Sequence, residues 1–221
     1  MSISVSSVVE DPALVEKRRK QIVEAATELF AKQGFYKTTI KDIAKKAGIS
    51  YGGVYLYVRE KEDVLLLVLQ QVVNAYAEEI PKAMAGVANP LERLVRAIEA
   101  YCRVVDKHRA ATVLAYRSTK SLSPDRRQVI QQLEIETNNI IAEAIRDCIN
   151  AGLMRDLNVD VLTYQVVLMA HGWALKSWYF KSCIELEDYI AESLETVLTG
   201  SLTSSGRTRY SRHASAVRPS T

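Results

Sequence analysis

The sequence predicts an all-α protein of nine helices, and three observations carry that class. Apolar residues recur at helical spacing from Ile22 onward, no segment alternates as a half-buried strand does, and few glycines interrupt residues 60–200. With 221 residues and 48% hydrophobic content, the chain can bury one small core and one larger one.

Residues 1–16 form an N-terminal arm, expected to be flexible. Residues 17–61 read KRRKQIVEAATELFAKQGFYKTTIKDIAKKAGISYGGVYLYVREK. Ile22, Ala26, Leu29 and Phe30, then Ile40, Ile43, Ala44 and Ala47, then Ile49 and Val54 mark three short helices able to share a core. Gly48 can take the left-handed conformation that ends a helix, and Ser50 can cap the next. Ala44 and Ala47 are small enough for a close crossing, so residues 51–58 are the recognition helix of a helix-turn-helix.

Six further helices follow in a larger domain, residues 63–200: about 61–84, 90–106, 109–120, 124–151, 159–181 and 186–199. Their ends are marked by Pro81, by Gly86, Asn89 and Pro90, by the Ser-Pro-Asp run at 123–125, by Gly152 and by Asn158. The segment 159–181 is apolar on two faces. One row runs Val161, Tyr164, Leu168, His171, Leu175 and Trp178; the other runs Leu162, Val166, Met169 and Trp173. Such a helix lies deep in a core or buries its second face in another subunit. The last helix carries Leu186, Tyr189, Ile190, Leu194, Val197 and Leu198. The tail 201–221, rich in Ser, Thr and Arg without an acidic residue, is expected to be disordered. Its Arg207, Arg209, Arg212 and Arg218 either add nonspecific DNA affinity or form an inert end.

Charge divides along the same boundaries. Residues 17–62 carry net +6, residues 63–200 net −4, the arm −3 and the tail +4. A basic module on a mildly acidic body suits phosphate binding with counterion release.

Other classes find little support. Cys102, Cys148 and Cys183 are widely spaced and odd in number, which points to free thiols in a reducing cytoplasm. His108, His171 and His213 make no metal-ligand spacing with them, so no metal and no cofactor is expected. No signal-peptide pattern opens the chain, and its apolar stretches are broken by polar residues, so neither secretion nor membrane association is expected. There is no nucleophile elbow, phosphate-binding glycine loop or spaced carboxylate pair, and an enzyme is not expected.

The first block resembles the DNA-binding domain of TetR family transcriptional regulators. The resemblance rests on Gly34-Phe35, Thr38-Thr39, Ile43-Ala44, Ala47-Gly48-Ile49-Ser50, Gly52, Tyr55, Tyr57 and Lys61-Glu62-Asp63. Gly53 stands where Thr, Ala or Ser is commoner, Tyr51 where Lys or Arg is frequent, and Val58 where Phe is frequent. Base preference therefore does not transfer from relatives.

The residues expected at DNA are Thr39 and Lys41 at the second helix, Ser50, Tyr51, Gly52 and Gly53 opening the recognition helix, and Tyr55, Tyr57 and Lys61 positioning it through phosphates. Packing in the three-helix core is the alternative for Tyr55 or Tyr57. The family likeness also implies a homodimer through the last two long helices, with Val166, Trp178, Tyr189, Leu194 and Val197 at the interface. Two recognition helices related by a two-fold axis read a palindromic operator in double-stranded DNA. It further implies a small-molecule effector in the larger domain, with Tyr101, Cys102, Tyr116, Arg117, Leu133, Thr137, His171 and Trp173 as candidate lining.

The stretches HRAATVLAYRSTKSLSPDRRQVIQQLE and HGWALKSWYF look like the branch of the family that answers to acyl-CoA or related acid metabolites. On that reading Arg109, Arg117, Arg126 or Arg127 meets a ligand phosphate or carboxylate; the alternative is a salt-bridged helix end. A ligand-released repressor in the cytoplasm is the leading expectation. A DNA-binding protein controlled by a protein partner, or acting architecturally without a small-molecule effector, is the alternative.

Overall fold

A computed structural model describes residues 5–217, with side chains to residue 211. The described helices are α1 (Pro12–Gln33), α2 (Ile40–Ala47), α3 (Tyr51–Val54), α4 (Lys61–Met84), α5 (Pro90–Lys107), α6 (Arg109–Ser118), α7 (Pro124–Asn150), α8 (Val159–Leu175), α9 (Ser177–Phe180), α10 (Leu186–Thr199) and α11 (Ser204–Val217). A 3-10 turn, Thr119–Ser121, follows α6. Extended pairing among the described residues is confined to a single bridge between Met154 and Leu202.

Local chemistry sets the boundaries. Asp11 accepts from the amides of Ala13 and Leu14 ahead of α1, with Pro12 in the first turn where its missing N–H costs nothing. Thr39 and Asp42 form a reciprocal capping box on α2, and Gly48, at φ 68°, ends it in the left-handed region. Ser50 caps α3 through the Gly53 amide, and Asn158 caps α8 through the Val161 amide.

Two compact units result. One holds the chain up to Asn74 together with His108–Glu134; the other holds Ala75–Lys107 and the chain from Ile135 on. The first therefore extends past the sequence boundary at residue 62, taking in half of α4, all of α6 and the start of α7. Its core includes Ile22, Ala26, Phe30, Ile43, Val54 and Leu65, and α6 packs on α1. In the second, α5 packs chiefly on α8, around Leu94, Ile98, Tyr101, Val166, Ala170 and Trp173.

Four expectations need correction. The recognition helix spans one turn, Tyr51–Val54, and a turn occupies residues 55–57; two successive glycines leave too little propensity for a longer helix. The segment 159–181 breaks at Lys176 (φ −114°, ψ 22°), which brings Phe180 back onto Trp173 and Tyr189, with ring centroids 6.1 and 4.8 Å apart. The arm is docked from Val5 onward: Val5 is buried, its carbonyl accepts from Arg19 Nη2 at 2.5 Å, and the Val8 amide donates to the Leu56 carbonyl at 2.9 Å.

The tail is the fourth. Residues 204–217 are helical, although the sequence lacks amphipathic periodicity there. Thr203 Oγ1 caps the helix through the Gly206 amide, and the Thr203 amide donates to the Leu153 carbonyl. Leu202 and Tyr210 are buried, and a Cβ at Gly206 would run into the Leu153 carbonyl oxygen. A glycine that looks like a helix breaker is what permits this close approach. Arg207 and Arg209 are exposed, while Arg218 and the side chains of Arg212 and His213 lie outside the described residues.

Candidate DNA-binding surface and small-molecule cavity

The helix-turn-helix presents one face of α3 to solvent and buries the other. Val54 and Tyr57 are buried, whereas Tyr51 and Tyr55 are exposed, with hydroxyls 3.0 Å apart and rings edge-to-face at 5.3 Å. Gly52 has open space around it, so the backbone there can approach a partner closely. Gly53 differs: a Cβ there would meet Ser50 Oγ at 2.8 Å and Ile49 Cγ2 at 3.1 Å, so its smallness serves the cap. The Ser50 hydroxyl accepts from the Gly53 amide at 3.1 Å.

On α2, Lys41 and Lys45 are exposed, while Lys46 pairs with Glu28 at 2.6 Å. The hydroxyl of Thr39, a residue expected at DNA, is engaged in capping its own helix. It donates to Asp42 Oδ2 at 2.7 Å, and this bond with that of the Thr39 amide holds the Asp42 carboxyl below its usual range. Tyr57 is a core residue, buried as the packing alternative required.

Lys61 is also used inside the fold. Its ammonium donates to the carbonyls of Phe35, Tyr36 and Thr38 at 2.9, 3.3 and 3.0 Å and lies 4.4 Å from the Phe35 ring centroid. Three hydrogens meet three carbonyls, so Lys61 fastens the start of α4 to the α1–α2 turn. Arg19, one of four successive basic residues at 17–20, donates to the Tyr57 carbonyl from Nε and Nη2 and to the Val5 carbonyl from Nη2. Arg126, weighed as a ligand contact, pairs with Glu60, Glu62 and Asp63 at 2.6, 3.1 and 2.5 Å. Arg127 donates to the carbonyls of Lys120 and Leu122.

The eight candidate ligand residues fall in different units. Tyr116, Arg117 and Leu133 belong to the first, with Tyr116 and Arg117 exposed and Leu133 half-buried. In the second unit Cys102 is packed away, and burial pushes its thiol and that of Cys148 up to about 12, which removes nucleophilic character. Trp173 is tied to Asp106, with Nε1 donating to Oδ1 at 2.8 Å.

Tyr101 and His171 do come together, with two residues the sequence reading missed. The Tyr76 and Tyr101 rings stack at 4.2 Å, and their hydroxyls lie 3.4 and 3.2 Å from His171 Nε2. The Tyr101 hydroxyl donates to Asn138 Oδ1 at 3.4 Å. Tyr76 was legible as the i+4 neighbour of buried Val72; Asn138 sits in a polar run and gave no signal. Thr137 is buried beside Asn138 on α7. A cavity of about 240 Å³ opens between α7 and α8, lined by Ile135, Glu136, Asn138, Asn139, Ala142, Asp160, Thr163 and Tyr164.

The proposed interface residues also divide. Val166 and Leu194 are 0% and 4% exposed within their own chain, because the α5–α8 and α10 packing consumes them. Tyr189 is half-buried, donating to the Met169 carbonyl, and Val197 is half-buried. Trp178 is 76% exposed, and Val161, Tyr164 and Leu168 form an exposed apolar row on α8.

A three-helix unit with an exposed recognition turn, followed by a purely helical body, defines a helix-turn-helix transcriptional regulator. The family model for bacterial regulatory proteins of the tetR family matches residues 22–68, and the model for the tetracyclin repressor-like C-terminal domain matches residues 87–199. The chain is 49% identical over 209 residues to the HTH-type transcriptional regulator HbdR of Aromatoleum sp. (strain CIB), covering 95% of this chain and 91% of HbdR. It belongs to the TetR family of transcriptional regulators.

Among solved structures, the ketosteroid transcriptional regulator KstR2 of Mycobacterium tuberculosis superposes with a TM-score of 0.70 at 25% identity, over 90% of this chain and 100% of that one. AibR, crystallised in complex with isovaleryl coenzyme A and operator DNA, gives 0.71 at 19% identity over 81% and 97%, a likeness of fold. Among the described residues no helix is long and apolar enough to cross a membrane.

Proposed function

We propose that the protein is a dimeric repressor of the cytoplasm that binds a palindromic operator and is released by a small organic-acid metabolite carried as a CoA thioester. The observation that carries this reading is the exposed surface of α3. Tyr51, Gly52 and Tyr55 stand side by side in solvent on a turn whose opposite face is fixed in a core. A large aromatic pair facing water on a soluble domain is a contact surface awaiting a partner. In this reading Tyr51, Gly52 and Tyr55 meet base edges and thymine methyls, and Lys41 and Lys45 hold phosphates.

Dimerisation would place the exposed row Val161, Leu168 and Trp178 against its counterpart, supplying cover that the protomer does not. The effector class is suggested by AibR, seen with isovaleryl coenzyme A, and by the cavity between α7 and α8. Ligand binding then favours a conformation with a different operator fit, as population shift requires.

The test is selection of random duplexes by the full chain, repeated with acyl- and aroyl-CoA thioesters and with the matching free acids. An enriched palindrome lost with one thioester class supports the proposal. A palindrome insensitive to every compound sinks the effector and favours control by a protein partner; no palindrome sinks the dimeric reading.

A further inference from the structure

The recognition turn is too short to hold its own shape. A single helical turn fixes many dihedrals for few hydrogen bonds, so α3 depends on contacts from outside it. On its N-terminal side the Ser50 hydroxyl supplies one. Past its other end the chain makes a turn at 55–57 and α4 begins only at Lys61, so the carbonyls of Leu56 and Tyr57 have no further helical turn to pair with.

The segment ahead of α1 meets both carbonyls. The Leu56 carbonyl accepts from the Ser7 hydroxyl and from the Val8 amide, each at 2.9 Å. The Tyr57 carbonyl accepts from Arg19 Nε and Nη2 at 3.2 and 3.1 Å, and Nη2 also donates to the Val5 carbonyl at 2.5 Å. One guanidinium thus joins residue 5 to residue 57, which takes the planar fork of donors that Arg has and Lys lacks. A cation beside the last carbonyls of a helical turn is also favoured by their partial negative charge. Val5 is buried and the Ser7 oxygen accepts from the Val9 amide at 3.1 Å, so the segment is itself anchored.

The charge of this segment argues against a direct role on DNA. Residues 1–11 include Glu10 and Asp11 and neither Lys nor Arg, so they offer phosphates no counter-charge. The bonds of Ser7 and Val8 go to protein backbone instead.

We infer that residues 5–9 and Arg19 form a strap that holds the recognition turn in its base-reading conformation, with Arg19 as the positioning residue. This rests on α3 being the DNA-contact surface, as proposed above, and adds that its shape is set by a segment that touches no DNA. Base edges are read only by groups in fixed positions, whereas phosphates are held by charge alone. A loosened turn therefore keeps the nonspecific affinity carried by Lys41 and Lys45 and loses discrimination.

The experiment compares three forms of the full chain: wild type, Arg19→Met, and a double variant, Ser7→Ala with Val8→Pro, which removes both donors from Leu56 without changing charge. Hydrogen exchange of the protein without DNA reads the bonded amides of Gly53, Val54, Leu56, Tyr57 and Val58. Binding is measured at several salt concentrations to the palindrome that the wild type selects from random duplexes and to a duplex of equal length lacking it. Both variants are expected to exchange those amides about tenfold faster or more, and to lose about tenfold or more in affinity for the palindrome. Affinity for the other duplex is expected to stay within about twofold, with the salt slope unchanged. If Arg19→Met does not fold, the double variant carries the comparison, because Val8 is exposed and no charge is altered. Equal losses on both duplexes, with a salt slope lower by about 1 in Arg19→Met, would make Arg19 a phosphate contact and overturn the strap. Unchanged exchange, or unchanged discrimination, in the variants overturns the strap while leaving the reading of α3 intact. If the wild type selects no palindrome, the reading of α3 falls and this inference with it.

Discussion

Arg126 Nη2 lies 2.5 Å from Asp63 Oδ1, and the Asp63 side chain is 5% exposed. The other Asp63 oxygen accepts from the amides of Arg59 at 2.8 Å and Glu60 at 3.3 Å, so one carboxylate both caps α4 and receives the first turn of α7. Arg126→Ala removes the only cation that an ion pair assigns to Asp63 among the described residues, and strands a buried charge. Breaking such a pair costs about 3 kcal/mol, lessened here by the two amides that remain. Urea unfolding of Arg126→Ala is expected to show a loss near that size. Arg126→Ala with Asp63→Asn is expected to recover part of it; no recovery would mean that the packing of Arg126, not its charge, matters.

The α3 surface leads to a paired prediction. Tyr51→Ala removes a ring from the face proposed to meet bases, so it should change which operator variants bind. Lys41→Ala removes a phosphate partner, so it should weaken all sequences about equally and lower the salt slope by about 1. Binding to a panel of single-base operator variants at two salt concentrations reads both. The reverse pattern would exchange the assigned roles.

Lys61 separates folding from binding. Three carbonyls accept from its ammonium, so Lys61→Met should destabilise the first unit by about 2 kcal/mol, since hydrogen bonds from charged donors are among the stronger ones. Thermal melting checks the stability, and salt titration of DNA affinity checks the rest. An unchanged melting temperature with a shallower salt slope would return Lys61 to the phosphate role the sequence suggested.

Burial of His171 predicts a pH dependence. Its folded pKa is pulled from 6.5 to about 4 by desolvation, so between those values the unfolded chain binds a proton that the folded one refuses. The stabilising contribution is present above pH 6.5 and is lost as pH falls toward 4, by about 3 kcal/mol across the window. Unfolding free energies of wild type and His171→Gln across that range should diverge in slope, with the variant flatter. Parallel slopes would mean that His171 takes up its proton in the fold as readily as in the unfolded chain, so that burial does not depress its pKa.

How much of this was legible depended on where the information lay. Helix ends at Gly48, Ser50 and Asn158 were readable because capping is local chemistry within four residues. The pattern at 159–181 was read as one helix because periodicity records which residues are apolar, not that Phe180 turns back onto Tyr189. The tail was misread for a related reason. Its order rests on Leu202 and Tyr210 being buried and on Gly206 meeting Leu153, contacts with residues some fifty positions away. Lys61 reads as a phosphate partner and Arg19 as one of a basic run, and the carbonyls they satisfy come from residues distant in sequence. Asn138 gave no signal, because a single polar residue on a long helix is ordinarily a surface residue.

Subunit association gives the last prediction, and the protomer's burial pattern makes it specific. The sequence placed Val166 and Trp178 together at an interface, yet they differ in what the chain already does with them. Val166 is fully covered within its own protomer, so Val166→Glu buries a charge without a partner and should unfold the second unit. Leu168 and Trp178 are 56% and 76% exposed, so Leu168→Glu and Trp178→Glu leave the protomer intact and charge only the surface proposed to pair. Sedimentation should show folded monomers for these two variants and a dimer for wild type. Their affinity for a half-site should be unchanged while affinity for the full palindrome falls by a factor of a hundred or more, on the order expected when two linked binding events become independent. Dimers that persist in both variants would move the interface away from this face of α8.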